Sequence, residues 1–265
     1  MISKSKAKFI TSLKEKKRRE ENQLFIIEGD KIVKEFLTAG IKLRSLIAQK
    51  DFISRLTDDL ILLAGEVEEV SYSELKQIST LKTPHNALAI VPIPSPSFEM
   101  EDVFNDLSVA LDVVQDPGNL GTIIRAAAWF GIRNIFCSPD SVDVYNPKVI
   151  QASMGAILHV NVHYADLQNL LSKACEKKLP VFGALLEGDS IYEHKLGNKG
   201  IILLGNESKG ISQNLMPYIT DKIKIPGPGI SLPGLESLNV GMAASIIISE
   251  FARRAVSVRL TTAGQ

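Results

Sequence analysis

Cysteine is almost absent from this chain. Cys137 and Cys175 are the only two in 265 residues, too few for a disulfide framework or a four-thiolate zinc site, so a reducing compartment is expected. The four histidines, His85, His159, His163 and His194, are scattered without ligand spacing, and no metal site is predicted. No apolar run is long enough to cross a bilayer and no secretory leader pattern is found, which predicts a cytoplasmic protein with no membrane partner. Several catalytic signatures are missing too. There is no G-x-G-x-x-G after the first strand, no G-x-S-x-G and no H-E-x-x-H. Gly205 and Gly210 have phosphate-loop spacing, but Ile211 stands where the lysine must be, which excludes nucleotide hydrolysis of that type.

Net charge is also lacking, at +0. That excludes nucleic acid only if charge is evenly spread, and it is not. From Lys4 to Arg19 the chain carries Lys4, Lys6, Lys8, Lys14, Lys16, Lys17, Arg18 and Arg19 against Glu15 alone. Such a segment either binds phosphate or forms a solvated helix face.

What is present is alternation. Strands are predicted over Leu24–Ile27, Leu43–Ala48, Val67–Val70 and Ala87–Val91, with helices over Asp30–Ala39 and Tyr72–Ser79, a small α/β unit. Pro92–Ile93–Pro94–Ser95–Pro96–Ser97 then reads as a stiff connection, dividing the chain into residues 1–94, a linker at 95–98 and residues 99–265. Beyond it, strands are predicted over Leu107–Val114, Asn134–Cys137, His159–Val162, Val181–Ala184, Ile201–Leu204 and Lys222–Ile225. The helices between and after them are Leu120–Phe130, Pro147–Met154, Leu167–Lys177 and Leu238–Arg254. Apolar strands alternating with helices imply a parallel sheet covered on both faces, with ligands at the carboxyl ends of its strands.

Three of those strand ends are unusual. The first runs into Gln115–Asp116–Pro117–Gly118–Asn119, a turn sequence in which Asn119 can cap the next helix, and Arg125 then falls among apolar neighbours. Another opens into Gly205–Asn206–Glu207–Ser208–Lys209–Gly210. The last opens into Ile225–Pro226–Gly227–Pro228–Gly229, where two prolines and two glycines exclude helix and central strand. Ser237 and Asn239 then stand at the head of a helix whose Leu238, Val240, Met242, Ile246, Ile247, Ile248 and Phe251 are apolar on most of its circumference. Its small residues Gly241, Ala243, Ala244 and Ser245 suit close packing against another helix.

With Asp116–Pro117–Gly118–Asn119–Leu120–Gly121–Thr122–Ile123–Ile124–Arg125, Leu204–Gly205–Asn206–Glu207–Ser208–Lys209–Gly210 and Ile225–Pro226 followed by Glu236–Ser237–Leu238–Asn239 in this order, the chain resembles the SpoU/TrmH family of RNA ribose 2′-O-methyltransferases. Leu13–Lys17–Arg18–Arg19 followed by Phe25–Ile26–Ile27–Glu28–Gly29 resembles the opening of that family's substrate-binding domain, so nearly the whole chain is covered. Ser208 replaces the glycine often found after the glutamate, and Ile230–Leu235 lengthen the last loop. The resemblance implies a small N-terminal α/β RNA-binding domain, an α/β catalytic domain with a C-terminal trefoil knot, and a homodimer through the last helix. It implies methyl transfer from S-adenosylmethionine to a ribose 2′-hydroxyl in structured RNA, ribosomal RNA above transfer RNA. By the same resemblance the cofactor would meet Leu204, Gly205, Asn206, Ile225, Pro226 and Leu238. Asn119, Arg125, Glu207, Ser237 and Asn239 would line the reacting centre, and Lys14, Lys17, Arg18 and Arg19 would meet RNA. Two other readings are an inactive RNA-binding relative and a dinucleotide enzyme on an unknotted sheet; the second lacks its glycine fingerprint.

Overall fold

In the computed structural model residues 2–95, 104–227 and 237–262 are described, with side chains to residue 255. Linker residues 96–98 and loop residues 228–236, the lengthened stretch included, lie outside the described residues. The elements run α1 (Lys4–Ser12), α2 (Lys16–Asn22), β1 (Leu24–Glu28), α3 (Asp30–Thr38), β2 (Ser45–Ala48), α4 (Lys50–Ile53), α5 (Asp58–Ile61), β3 (Val67–Glu69), α6 (Tyr72–Ile78) and β4 (Ala87–Pro92). They continue with β5 (Leu107–Leu111), α7 (Pro117–Trp129), β6 (Asn134–Cys137), α8 (Pro147–Ser153), β7 (Asn161–Tyr164), α9 (Leu167–Glu176), β8 (Val181–Ser190), β9 (Gly200–Leu204), β10 (Asp221–Lys224) and α10 (Val240–Thr262).

Two compact units result, Met1–Ser95 with Asp143–Leu158, and Pro96–Val142 with His159–Gln265. The first holds a sheet of order β1-β4-β2-β3, antiparallel except for the parallel β2–β3 pair. Successive strand residues point to opposite faces. Phe25 and Ile27 therefore pack with Val33, Phe36 and Leu37, while Leu24 and Ile26 pack with Ile10, Leu13, Leu75 and Ile78. Burial on both faces explains why β1, β2 and β4 read as unbroken apolar runs. The segment around α8 belongs to this core: Ile150 joins it, and the Tyr145 ring lies 4.6 Å from that of Phe25. Burial, with the nearby Asp143 charge, pushes the Tyr145 hydroxyl up to about 12.

The second unit carries six parallel strands among the described residues, in the order β10-β8-β9-β5-β6-β7. Leu167, Leu170, Leu171 and Ala174 of α9 close one side against Ala110, Phe136, Val181, Ile201 and Leu203. Helix α10 buries Val240, Ala244, Ile247, Ile248 and Phe251, the last edge-on to Phe182 at 4.9 Å, but leaves Met242 57% exposed. It is buried on part of its circumference only, with an apolar residue exposed on the rest. Its close-packing partner is α7 of the same chain, since a Cβ on Gly241 would come within 3.3 Å of Thr122. Further along α10, Arg254 donates to the carbonyls of Tyr192 at 2.5 Å and His194 at 2.8 Å, and Glu250 accepts from Arg254 at 2.7 Å.

Strand limits shift where local geometry demands it. The strand predicted over Leu107–Val114 stops at Leu111, because Val113 adopts φ +55°. The strand predicted from His159 starts at Asn161, because Ala156–His159 wind into a 3-10 turn.

Candidate functional site

The strand order reverses about β5: the chain proceeds from β5 to β6 and β7 on one side, while β9 is its neighbour on the other. In open α/β sheets the loops leaving such a switch point flank the ligand crevice. Those loops are the ones after β5 and β9.

After β5, the Asp112 N–H donates to the Leu204 carbonyl at 2.8 Å, prolonging the ladder by one residue. Val113 is then left-handed, a rare conformation for a β-branched residue. It is pinned from two sides, its N–H donating to Ser138 Oγ at 2.8 Å and its carbonyl accepting from Asn206 Nδ2 at 2.9 Å. Asp116, not Asn119, caps α7, accepting the Asn119 N–H at 2.9 Å with Pro117 opening the first turn. The cap thereby frees the side chain of Asn119, which is only 8% exposed.

After β9 the chain doubles back so tightly that a Cβ on Gly205 would stand 2.2 Å from the Gly210 carbonyl carbon. No side chain fits there. Asn206 and Gly210 exchange N–H···O bonds of 3.0 and 2.9 Å, and Asn206 Oδ1 accepts the N–H groups of Ser208 and Lys209 at 3.0 and 3.1 Å. This leaves Glu207, Ser208 and Lys209 on an exposed tip. Both ends of the Asn206 amide are committed to backbone, its Oδ1 within its own loop and its Nδ2 to the Val113 carbonyl.

At the head of α10, Asn239 Oδ1 accepts the N–H groups of Gly241 and Met242 at 3.0 and 3.2 Å, the geometry of an N-cap. Its Nδ2 donates to Asn119 Oδ1 at 2.8 Å, and Asn119 Nδ2 donates to Glu207 Oε1 at 2.6 Å. A directional relay results, from the positive end of a helix through two amides to a carboxylate. Three residues 32 to 120 positions apart are joined in it, one from each motif.

The other expected residues are placed differently. Arg125 lies six residues beyond Asn119 on α7, about 9 Å along the axis and about 120° round it. It is exposed, on the stripe of Thr122 and Trp129, and outside the relay. Ser237 and Leu238 are exposed beside Asn239; Leu204 is buried at the sheet edge of the crevice, Ile225 half-buried and Pro226 exposed after β10. In the first unit Arg19 departs from the expected phosphate contact. It is 2% exposed, ion-paired with Asp143, and donates to the carbonyls of Leu13 and Lys14 at 2.9 and 2.7 Å. A buried guanidinium is needed there to satisfy those acceptors. Lys14 donates to the Ser79 carbonyl at 3.1 Å, and Lys17 and Arg18 stay on the surface near Glu21. Neither cysteine is an activated nucleophile: burial pushes Cys137 up to about 12 and also raises Cys175.

Known proteins are similar to the chain over nearly its whole length. Residues 106–249 match the SpoU rRNA Methylase family, and residues 4–89 match the MRM3-like substrate binding domain. The chain belongs to the SpoU rRNA methylase family. It is 26% identical over 245 residues to the 23S rRNA (guanosine(2553)-2′-O)-methyltransferase RlmP of Bacillus subtilis, across 92% of this chain and 94% of that one. A Porphyromonas gingivalis structure assigned to the TrmH family of RNA methyltransferases is 39% identical with a TM-score of 0.83, covering 96% of this chain and 99% of its own. The AdoMet-bound rRNA methyltransferase of Sinorhizobium meliloti is 27% identical with a TM-score of 0.82, covering 96% and 97%.

Four residues of this SpoU chain bear on the site without having been named as site residues from the sequence. Asp116 caps α7, Ser138 and Ser141 brace the backbone of Val113 and Val114, and Asp112 reaches the Ser212 N–H at 2.7 Å. The signal for Asp116 was the Asp-Pro pair itself; the two serines follow β6 in an ordinary turn and carried none.

Proposed function

We propose that the protein transfers a methyl group from S-adenosylmethionine to a ribose 2′-hydroxyl of ribosomal RNA. The observation that carries this reading is the relay of Asn119, Glu207 and Asn239 at the sheet's switch point. RlmP, similar over nearly its full length, supports ribosomal RNA as the substrate.

The residues proposed to hold the cofactor suit an adenosine group. Ile225, Pro226 and Leu238 offer apolar faces, and their main chain offers polar edges. Leu204 and Gly205 would add main-chain contacts, and Asn206 would contribute backbone alone. When bound, S-adenosylmethionine supplies a methyl group on a positively charged sulfur. The chain's part is then positioning and charge. Asn119 aims the Glu207 carboxylate, which can accept a hydrogen bond from the ribose hydroxyl. Asn239 fixes Asn119, and Ser237 shapes the loop beside it. Arg125 keeps its proton at any ordinary pH, so its role is to stabilise the developing alkoxide and grip the adjacent phosphate. The amides and the serine cannot take up the hydroxyl proton, which passes to Glu207 or to water.

The division at 94 and 99 into an RNA-binding and a knotted catalytic domain is likewise proposed, with Lys14, Lys17 and Arg18 as surface contacts for RNA. The trefoil knot is supported by membership of the family, and action in the cytoplasm by two free thiols. A homodimer is supported by an apolar face on the second unit. There Trp129 is 84% exposed, Met242 is exposed, and a cavity of about 390 Å³ is lined by Phe130, Tyr192, Ser245, Ile246, Ser249 and Glu250. The same stripe of α7 carries Arg125, which would lie at the dimer boundary.

Tritium carried on the methyl group should appear in ribosomal RNA, with one or more 2′-O-methyl positions lost when the gene is removed. Arg125→Ala should lower the rate by roughly 10²-fold or more at unchanged thermal stability. An Arg125→Ala protein as active as the unaltered one would refute that role, and failure of the protein to bind S-adenosylmethionine in a calorimeter would refute the whole reading.

A further inference from the structure

We infer that Asp112, a residue with no place in the reacting cluster, positions Glu207 by anchoring the return end of its loop. The inference rests on the methyl-transfer reading above and concerns how that site is held in register.

Besides the Glu207–Asn119 bond, the loop from Gly205 to Ser212 is tied to the segment after β5 at two points. On the way out, Asn206 Nδ2 donates to the Val113 carbonyl at 2.9 Å; on the way back, the Ser212 N–H donates to Asp112 Oδ2 at 2.7 Å. Asp112 is 4% exposed and Ile211 beside the anchor is buried, so this bond is shielded from water. Glu207 sits between the two anchors on the exposed tip, and its carboxylate meets Asn119 Nδ2 at 2.6 Å. Asn119 belongs to the helix that follows Asp112 in sequence. One backbone segment, Asp112 to Asn119, thus sets both partners of the Glu207–Asn119 bond: it supplies Asn119 directly and fixes Glu207 through the loop. The main-chain bond from Asp112 N–H to the Leu204 carbonyl at 2.8 Å does not depend on the side chain. Removing the carboxylate should therefore disturb Glu207 and spare Leu204 and Gly205.

The alternative is a purely structural role in which Asp112 only satisfies a buried N–H. A double-mutant cycle in the full-length protein separates the two. Asp112→Ala should lower kcat by about 10- to 10²-fold, the scale of small misplacements in a reacting site, while the calorimetric dissociation constant for S-adenosylmethionine stays close to that of the unaltered protein. Asp112→Asn, which keeps an acceptor for Ser212, should recover most of the loss and guards against a variant that simply fails to fold. Combined with Glu207→Ala, Asp112→Ala should add almost nothing, because the group it acts through is gone. If the two losses instead multiply to within about twofold, Asp112 acts independently of Glu207 and the inference is overturned. Amide hydrogen exchange gives a readout without turnover: Asp112→Ala should speed exchange across residues 206–212 and leave β9 and Gly205 protected. Unchanged exchange in that segment would overturn the anchor even in a protein with no methyl transfer, whereas absent turnover with the exchange change present would count against the methyl-transfer reading alone.

Discussion

Replacing Asn119 by aspartate changes one atom's chemistry and almost no volume, so its consequences can be worked from the relay. In the native protein Asn119 Nδ2 donates to Glu207 Oε1 at 2.6 Å and Oδ1 accepts from Asn239 at 2.8 Å. The introduced carboxylate can still accept from Asn239 but has nothing to donate to Glu207. One charge-assisted bond is lost, about 1.5–3 kcal/mol. Two carboxylates also face each other at hydrogen-bond distance; because Glu207 is exposed, solvent reduces that repulsion to about 1 kcal/mol rather than the ~4 kcal/mol of a half-buried pair. The total is about 2.5–4 kcal/mol at neutral pH, or about 5–15 °C in Tm. The sign with pH follows. Facing carboxylates raise the folded-state pKa of the pair, so the penalty is present at high pH and fades as pH falls and one of them takes a proton. The shared proton then restores a donor. Thermal unfolding of Asn119→Asp and of the unaltered protein should therefore converge toward mildly acid pH, while methyl transfer at neutral pH falls by about 10²-fold. A variant as stable as the original at pH 8, or with a deficit that grows on acidification, would mean that the relay does not exist in solution.

Three further outcomes are expected. Arg19→Ala should cost about 3–5 kcal/mol, because Asp143 is left without its buried partner, whereas Lys17→Ala should leave stability unchanged and weaken RNA binding with a salt slope smaller by about 1; denaturant titration and filter binding across salt concentrations separate the two. Glu250 is held at about 2, first by its bond to Arg253 at 2.8 Å, with burial opposing and Arg254 adding to the effect. A depressed carboxylate stabilises above its ordinary pKa of 4.5 and loses that contribution as pH falls toward 2, so Glu250→Gln should flatten the acid side of the stability profile. Met242→Glu should yield monomers in sedimentation at micromolar concentration, and persistent dimers would place the interface elsewhere.

Much of the architecture was legible because periodicity and turn chemistry are local. Strand Asn134–Cys137 has the limits expected from its short apolar run, and the Asp-Pro-Gly-Asn turn marks the start of α7 within three residues. Its capping residue was misassigned, since Asp116 and Asn119 are both competent caps and only the backbone path selects between them. The basic run was legible as charge but not as function. Lys6 is drawn to Glu66 and Glu68 at 2.9 and 2.5 Å and Arg19 is buried, while Lys4, Lys8, Lys14, Lys16, Lys17 and Arg18 stay exposed. That Asp143–Leu158 packs with the first unit had no local signal, because its apolar residues fit either core equally well.

The sequence by itself determined the elements, the three motifs and the family, because spacing, turn residues and residue chemistry are written along the chain. Tertiary structure alone decided that Asn119, Glu207 and Asn239 form one relay with fixed polarity, that Arg125 stands outside it, and that the Asn206 side chain is spent on backbone of its own loop and of the loop after β5. Hydrogen-bond direction and burial depend on what arrives from elsewhere in the fold, and no one-dimensional pattern encodes which of two amide ends will find a partner first.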